Sequence, residues 1–233
     1  MLPKIKICGL TNLKDALAAA QLGADAVGFI FADSPRKITP ETAKEIISHL
    51  PKSVAKVGVF VNDSLENIVK ITDYCSLDNI QLHGDESPQF CDQLKQNIIT
   101  TKQARNSQST FLTSAINIIK AFRIRNSADI EKIADYEETV QAFLFDTYSK
   151  DKYGGTGKVF NWDLLKMIKT KKPIIISGGL NPKNIPALLS KTAPYALDLN
   201  SGVEKSTGKK DYAKMKEVFK EDNYEIYKIS QKQ

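Results

Sequence analysis

Short apolar runs alternate along this chain with longer stretches of helical periodicity, and the alternation repeats eight times. Lys4 to Gly9, Ala26 to Phe31, Lys56 to Val61, Asn79 to Gly84, Ile118 to Arg123, Ala142 to Phe145, Pro173 to Gly179 and Tyr195 to Asn200 each read as a strand. They are short and rich in β-branched residues, as buried parallel strands are. Between them lie helical patterns. One carries Leu13, Ala16, Leu17, Ala20 and Leu22, capped by Thr11 or Asn12 and stopped at Gly23. Another opens with Thr39 as N-cap and Pro40 at the first helical position, and ends near Leu50-Pro51. Further helices are expected from Leu65 to Tyr74, from Ser87-Pro88 to about Leu94, from Ala128 to Tyr136, from Asn161, from Asn181 to Leu189 and from Asp211 to Phe219.

Strict strand–helix alternation argues a parallel sheet with right-handed crossovers. Eight units in 233 residues fit a single (β/α)8 TIM barrel, whose usual length is ~250 residues. An open doubly wound sheet is the alternative. No compositional break divides the chain, so residues 1–233 read as one domain. Two stretches stand out. Residues about 96–117 are polar with little periodicity, and are expected to form a surface excursion on the face away from the site. A polar tail covers about 221–233.

Composition narrows the class. With 42% hydrophobic and 26% charged residues the chain is an ordinary globular protein. It has no apolar run near the ~20 residues of a membrane span, and its first residues hold no signal-peptide core, so the expectation is cytoplasmic, with no membrane partner. Three cysteines do not make a disulfide framework. The net charge of +6 is spread throughout, and its two short basic runs (Lys169, Lys171, Lys172 and Lys205, Lys209, Lys210) lack interleaved aromatics. That speaks against nucleic acid and suits a small anionic substrate.

In a barrel the C-terminal ends of the strands share one mouth. Reading those ends off gives Cys8, Arg36 in the second loop, His83, Arg123, Asp146, Ser177-Gly178-Gly179, and Asp198 before Ser201-Gly202. Asp146 leaves its strand beside a loop ending in Gly154-Gly155-Thr156-Gly157, which suggests a catalytic acid under a lid. Cys8 is a candidate general base if a neighbouring positive charge favours its thiolate, or else a small buried hydrophobe. Backbone amides at Gly178, Gly179, Ser201 and Gly202 can form an anion site of the kind found after strands 7 and 8, or the glycines serve their turns alone. Arg36 can grip a carboxylate bidentately, or is a solvated loop arginine. His83 either orients substrate or bonds backbone, and Asp198 either lines the site or orders a loop. No cluster has metal spacing.

These segments, taken in order, are where the chain resembles the phosphoribosylanthranilate isomerase family. They are Lys6-Ile7-Cys8-Gly9, Ser34-Pro35-Arg36, Val57-Gly58-Val59-Phe60, Gln81-Leu82-His83-Gly84, Asp146 with Gly154-Gly155-Thr156-Gly157, Ser177-Gly178-Gly179-Leu180 with Pro182, and Asn200-Ser201-Gly202-Val203-Glu204 with Lys210-Asp211. The resemblance implies a (β/α)8 barrel and an Amadori rearrangement of N-(5-phosphoribosyl)anthranilate in tryptophan biosynthesis, with no cofactor. It implies Asp146 as general acid, Cys8 as general base, Arg36 on the anthranilate carboxylate, the 178–179 and 201–202 loops on the phosphate, and the 154–157 loop as a closing lid. The protein is expected to act as a monomer or homodimer on a small phosphorylated substrate. Alternatives are an indole-glycerol-phosphate synthase or sugar-phosphate epimerase, a non-catalytic phosphate-binding barrel, and activity on the histidine-pathway aminoaldose. A synthase wants a catalytic lysine where Cys8 stands, and an epimerase wants more histidines than His49 and His83.

Overall fold

The strands close on themselves. In the computed structural model, which describes residues 2–106, 116–147 and 161–224, eight parallel strands follow one another around a barrel. They are β1 (Lys4–Ile7), β2 (Ala26–Ile30), β3 (Ala55–Phe60), β4 (Asn79–Leu82), β5 (Asn117–Ile124), β6 (Ala142–Thr147), β7 (Ile174–Ile176) and β8 (Ala196–Leu199). Closure comes from β8 pairing with β1, in a register that sets Lys6 opposite Asp198. The helices are α1 (Leu13–Gln21), α2 (Pro40–Ser48), α3 (Leu65–Tyr74), α4 (Pro88–Asn106), α5 (Ser127–Glu131), α6 (Ile185–Leu189) and α7 (Tyr212–Val218). Thr39 caps α2 ahead of Pro40, as expected, and Asn12 rather than Thr11 caps α1.

Side chains alternate along each strand, so each strand feeds two layers. Ile5, Ile7, Val27, Phe29, Phe143 and Phe145 pack outward with the helices. Val57, Ile119, Ala121, Leu144, Ile175 and Ala196 form a separate inner cluster. The barrel interior is therefore a filled core, with one cavity at its mouth and another of about 340 Å³ at the opposite end, lined by Ala26, Val57, Asn117, Ala142 and Ala196.

The helix after β4 departs from the expected stop near Leu94. It runs on to Asn106, because Cys91, Leu94 and Ile98 continue one buried stripe at helical spacing. Residues 96–106 are thus helix rather than irregular excursion. The rest of that stretch to residue 115, the Gly154 to Gly157 loop and the tail beyond Tyr224 lie outside the described residues. Residues 162–167 form a 3-10 helix capped by Asn161, and the 128–136 helix divides into α5 and a 3-10 turn from Lys132 to Tyr136.

One buried ion pair ties the outer layer to the mouth. Lys120 of β5 is 2% exposed and donates to Glu86 Oε2 at 2.8 Å and to Gly84 O at 2.8 Å. Glu86 accepts in turn from the Asn62 and Gly84 amides. The loop that follows His83 is therefore fixed from behind by a carboxylate and an ammonium. Removing one partner of such a pair strands the other charge. Glu86→Ala is expected to lower stability by about 3–5 kcal/mol in urea unfolding, and the double variant with Lys120→Met to recover most of that loss.

Candidate functional site

The site begins with a charge placed inside the barrel. Ile5 and Ile7 face the helices, so Lys6 and Cys8 point inward from β1 and its exit. Gly28 on the neighbouring strand makes room for them: a Cβ there would lie 2.6 Å from Cys8 Sγ and 3.2 Å from Lys6 Cε. Lys6 is 3% exposed. Its Nζ donates to Asp198 Oδ1 at 2.9 Å and to Gln81 Oε1 at 3.0 Å. The Gln81 amide nitrogen is 2.8 Å from His83 Nδ1, and His83 Nε2 is 3.1 Å from Asp146 Oδ2. Asp146 Oδ1 accepts from the Thr147 amide at 2.7 Å. One polar chain thus crosses the floor of the mouth from strand 8 through strands 1 and 4 to strand 6.

Above this floor lies a cavity of about 380 Å³. Cys8, Arg36, His83, Asp146 and Asp198 line it, and so do Gly178, Gly179, Ser201 and Gly202. Every described candidate from the strand ends faces it except Arg123, which pairs with Asp85 at 3.1 Å. Gly178 has φ +87°, and a Cβ there would meet Thr147 and Asp146, so glycine lets the backbone turn tightly over the acid. Ser177 Oγ donates to the Asp198 carbonyl at 3.3 Å, linking the two glycine loops below the cavity.

Arg36 does what a guanidinium fork does, but toward the protein. Its Nε and Nη2 donate to the two oxygens of Glu204 at 2.8 and 2.7 Å. That pairing holds the guanidinium above its ordinary range, against the opposing effect of burial. Burial pushes the Glu204 carboxyl up, but Arg36 and Lys210 together win and hold it below the usual range. Lys210, 3.1 Å from Glu204, is depressed by burial despite that partner. Two basic side chains thus answer one carboxylate behind this side of the cavity.

Cys8 is pushed above the ordinary thiol range. Burial is the largest cause, and Lys6 opposes it without overcoming it. The expected neighbouring positive charge is therefore present and is Lys6. Lys6 itself is lowered by burial but raised more by its partners, Asp198 first, so it keeps its proton. Among the described residues no group of three or more His, Cys, Asp or Glu side chains could hold a metal ion.

Sequence reasoning did not single out Lys6, Gln81, Glu204 or Lys210 as site residues. The signal for Lys6 was present: in a strand covered by helices on one side, the other side points into the barrel, so its polar residues line the interior.

The sequence model of a family described as N-(5'phosphoribosyl)anthranilate (PRA) isomerase matches residues 5–110 and 101–221. The N-(5'-phosphoribosyl)anthranilate isomerase of Pelobacter propionicus is 43% identical over 218 residues, covering 93% of this chain and 94% of that protein. A crystal structure of phosphoribosyl anthranilate isomerase in complex with reduced 1-(o-carboxyphenylamino)-1-deoxyribulose 5-phosphate superposes with a TM-score of 0.74 at 35% identity, covering 94% of this chain and 97% of that one. The Thermotoga maritima phosphoribosyl anthranilate isomerase superposes with a TM-score of 0.77 at 37% identity, over 93% and 97% of the two chains.

The thiol environment makes a prediction. Cys75 and Cys91 are buried and pushed up to about 11, and only Cys8 faces the cavity. Iodoacetamide is expected to label Cys8 first. Its rate should keep climbing as pH rises past the ordinary thiol value of roughly 8.5, followed by mass spectrometry. A plateau near neutral pH would mean that Lys6 outweighs burial.

Proposed function

The chain belongs to the N-(5'-phosphoribosyl)anthranilate isomerase family, and we propose that its mouth cavity performs the rearrangement with Asp146 as the acid and Cys8 as the base. The enzyme is an isomerase of tryptophan biosynthesis. It converts N-(5-phosphoribosyl)anthranilate into 1-(2-carboxyphenylamino)-1-deoxyribulose 5-phosphate. The observation that carries the assignment is that Cys8 and Asp146, from strands 1 and 6, line one cavity with both glycine loops.

Asp146 gives a proton to the furanose ring oxygen. The C1′–O bond breaks, and the anthranilate nitrogen supplies the pair that makes a Schiff base. The C2′–H is thereby acidified. Cys8 takes that proton, and the electron pair moves to give an enolamine, which tautomerises to the ketone. The electrons lost at C2′ are gained at C1′ within one molecule, so the reaction is redox-neutral. The working form of Cys8 is the thiolate, which the Lys6 ammonium and then the cationic Schiff base favour against burial.

The phosphate is held by the amides at Gly178, Gly179, Ser201 and Gly202, at the subsite this fold repeats after strands 7 and 8. Arg36 holds the anthranilate carboxylate. Its guanidinium has five N–H donors, of which Glu204 takes two. Glu204 thereby fixes the plane of the fork, and Lys210 holds Glu204 in place at 3.1 Å. His83 and Asp198 contact the ribose side of the cavity. We infer further that the enzyme works in the cytoplasm, as a monomer or a homodimer. Among the described residues no helix is long and apolar enough to cross a membrane.

The test is the fall of anthraniloyl fluorescence after mixing with fresh phosphoribosylanthranilate. Cys8→Ala and Asp146→Asn are each expected to cut kcat by roughly 100-fold or more, the scale of a general acid or base. A wild-type rate retained in either variant would remove that residue from the mechanism. Arg36→Met is expected to raise KM more than it lowers kcat, because it removes binding that ground state and transition state share.

A further inference from the structure

The polar chain under the cavity has a direction that chemistry fixes from one end. An ammonium has three donors and no acceptor. The Gln81 atom 3.0 Å from Lys6 Nζ is therefore its carbonyl oxygen. That leaves the Gln81 NH2 facing His83 Nδ1 at 2.8 Å. An amide NH2 only donates, so Nδ1 is the accepting nitrogen and the ring proton sits on Nε2, 3.1 Å from Asp146 Oδ2. We propose that Lys6 and Gln81 are positioning residues that lock His83 in its Nε2–H tautomer, so that the imidazole donates to Asp146 while that residue gives up its proton. The proposal rests on Asp146 being the acid.

The lock is stiff because the chain is buried. Gln81 is 1% exposed and Lys6 3%. A flipped Gln81 would set its NH2 against the ammonium, and both groups would lose a partner away from water. Lys6 itself cannot swing aside, since Asp198 holds it at 2.9 Å and Cys8 lies against its other side. Asp146 receives a second donor, the Thr147 amide, on Oδ1. Both donors therefore meet the carboxylate that remains once the proton has gone to the ring oxygen, and donors aimed at developing charge are what speed such a step. If His83 carried its proton on Nδ1 instead, its Nε2 would present a lone pair to Asp146 Oδ2, and that stabilisation would be lost. The same lysine also touches the environment of Cys8, so a single ammonium orients the acid and adjoins the base.

The experiment is a long-range 1H–15N correlation spectrum of the full chain at neutral pH. The chain has two histidines, and His49 is exposed on the outside of the barrel, so the His83 signals are identified by comparison with His49→Gln. Wild-type protein is expected to show the His83 proton on Nε2. Gln81→Glu replaces the donating amide with an accepting carboxylate. It is expected to draw a proton onto Nδ1 and to lower kcat by roughly 10- to 100-fold with little change in KM, the scale of misplacing a reacting group. A wild-type Nδ1–H tautomer would overturn the proposal, and so would Gln81→Glu with unchanged tautomer and kcat. If Gln81→Glu fails to fold, the wild-type spectrum alone decides. The spectrum needs no turnover. A protein that shows Nε2–H but no isomerase activity would keep the lock and sink the assignment of the acid, whereas the reverse pattern would sink the lock and keep the assignment.

Discussion

A lysine cannot sit inside a protein without an answering charge, and in this barrel satisfying Lys6 brings the site together. Its side chain is 4% exposed, where a lone cation would carry a heavy desolvation cost. Asp198 supplies the counter-charge across the β1–β8 seam. Gln81 supplies a neutral acceptor from β4, and through it His83 and Asp146 fall into line. The barrel's eightfold closure brings these strands to one point. The buried cation determines which polar atoms must meet there. An apolar residue at position 6 would fill the barrel equally well and would leave Gln81 free to rotate.

The same arrangement recurs at the edges of the mouth. Lys120 and Glu86 fix the loop after β4 from outside the barrel, while Arg36, Glu204 and Lys210 build the wall opposite the acid. In each case a buried charge is answered by a residue from another element. Paired charges make a weak contribution to net stability compared with apolar packing. Their contribution here is geometric, since each pair fixes a loop that the inner and outer hydrophobic layers leave unconstrained.

Much of this is legible in the sequence. The eight strand–helix units followed from apolar runs of the right length at steady spacing. The convergence of Cys8, Arg36, His83, Asp146 and Asp198 followed from fold logic alone, because strand ends share a mouth. The partners were not legible. Glu204 stands in the sequence only as the end of the Asn200 to Glu204 segment, and only closure of the barrel brings it 168 positions back to Arg36. Gln81 reads as one polar residue in an apolar run. The end of α4 was misplaced because polar composition from residue 96 onward hid a stripe that Ile98 continues for another turn. Local pattern reports periodicity well, and pairings between distant charges poorly, since those depend on register.

The seam between β1 and β8 has a consequence for the life of the chain. Lys6 and Asp198 lie 192 positions apart, so the counter-charge is made long after the cation. At a synthesis rate of about 5–20 residues per second, roughly ten to forty seconds separate their appearance. Throughout that interval the first strand carries an ammonium that cannot yet be buried. The first strand therefore waits for the last one, and no product of translation that stops short of Asp198 contains the pair.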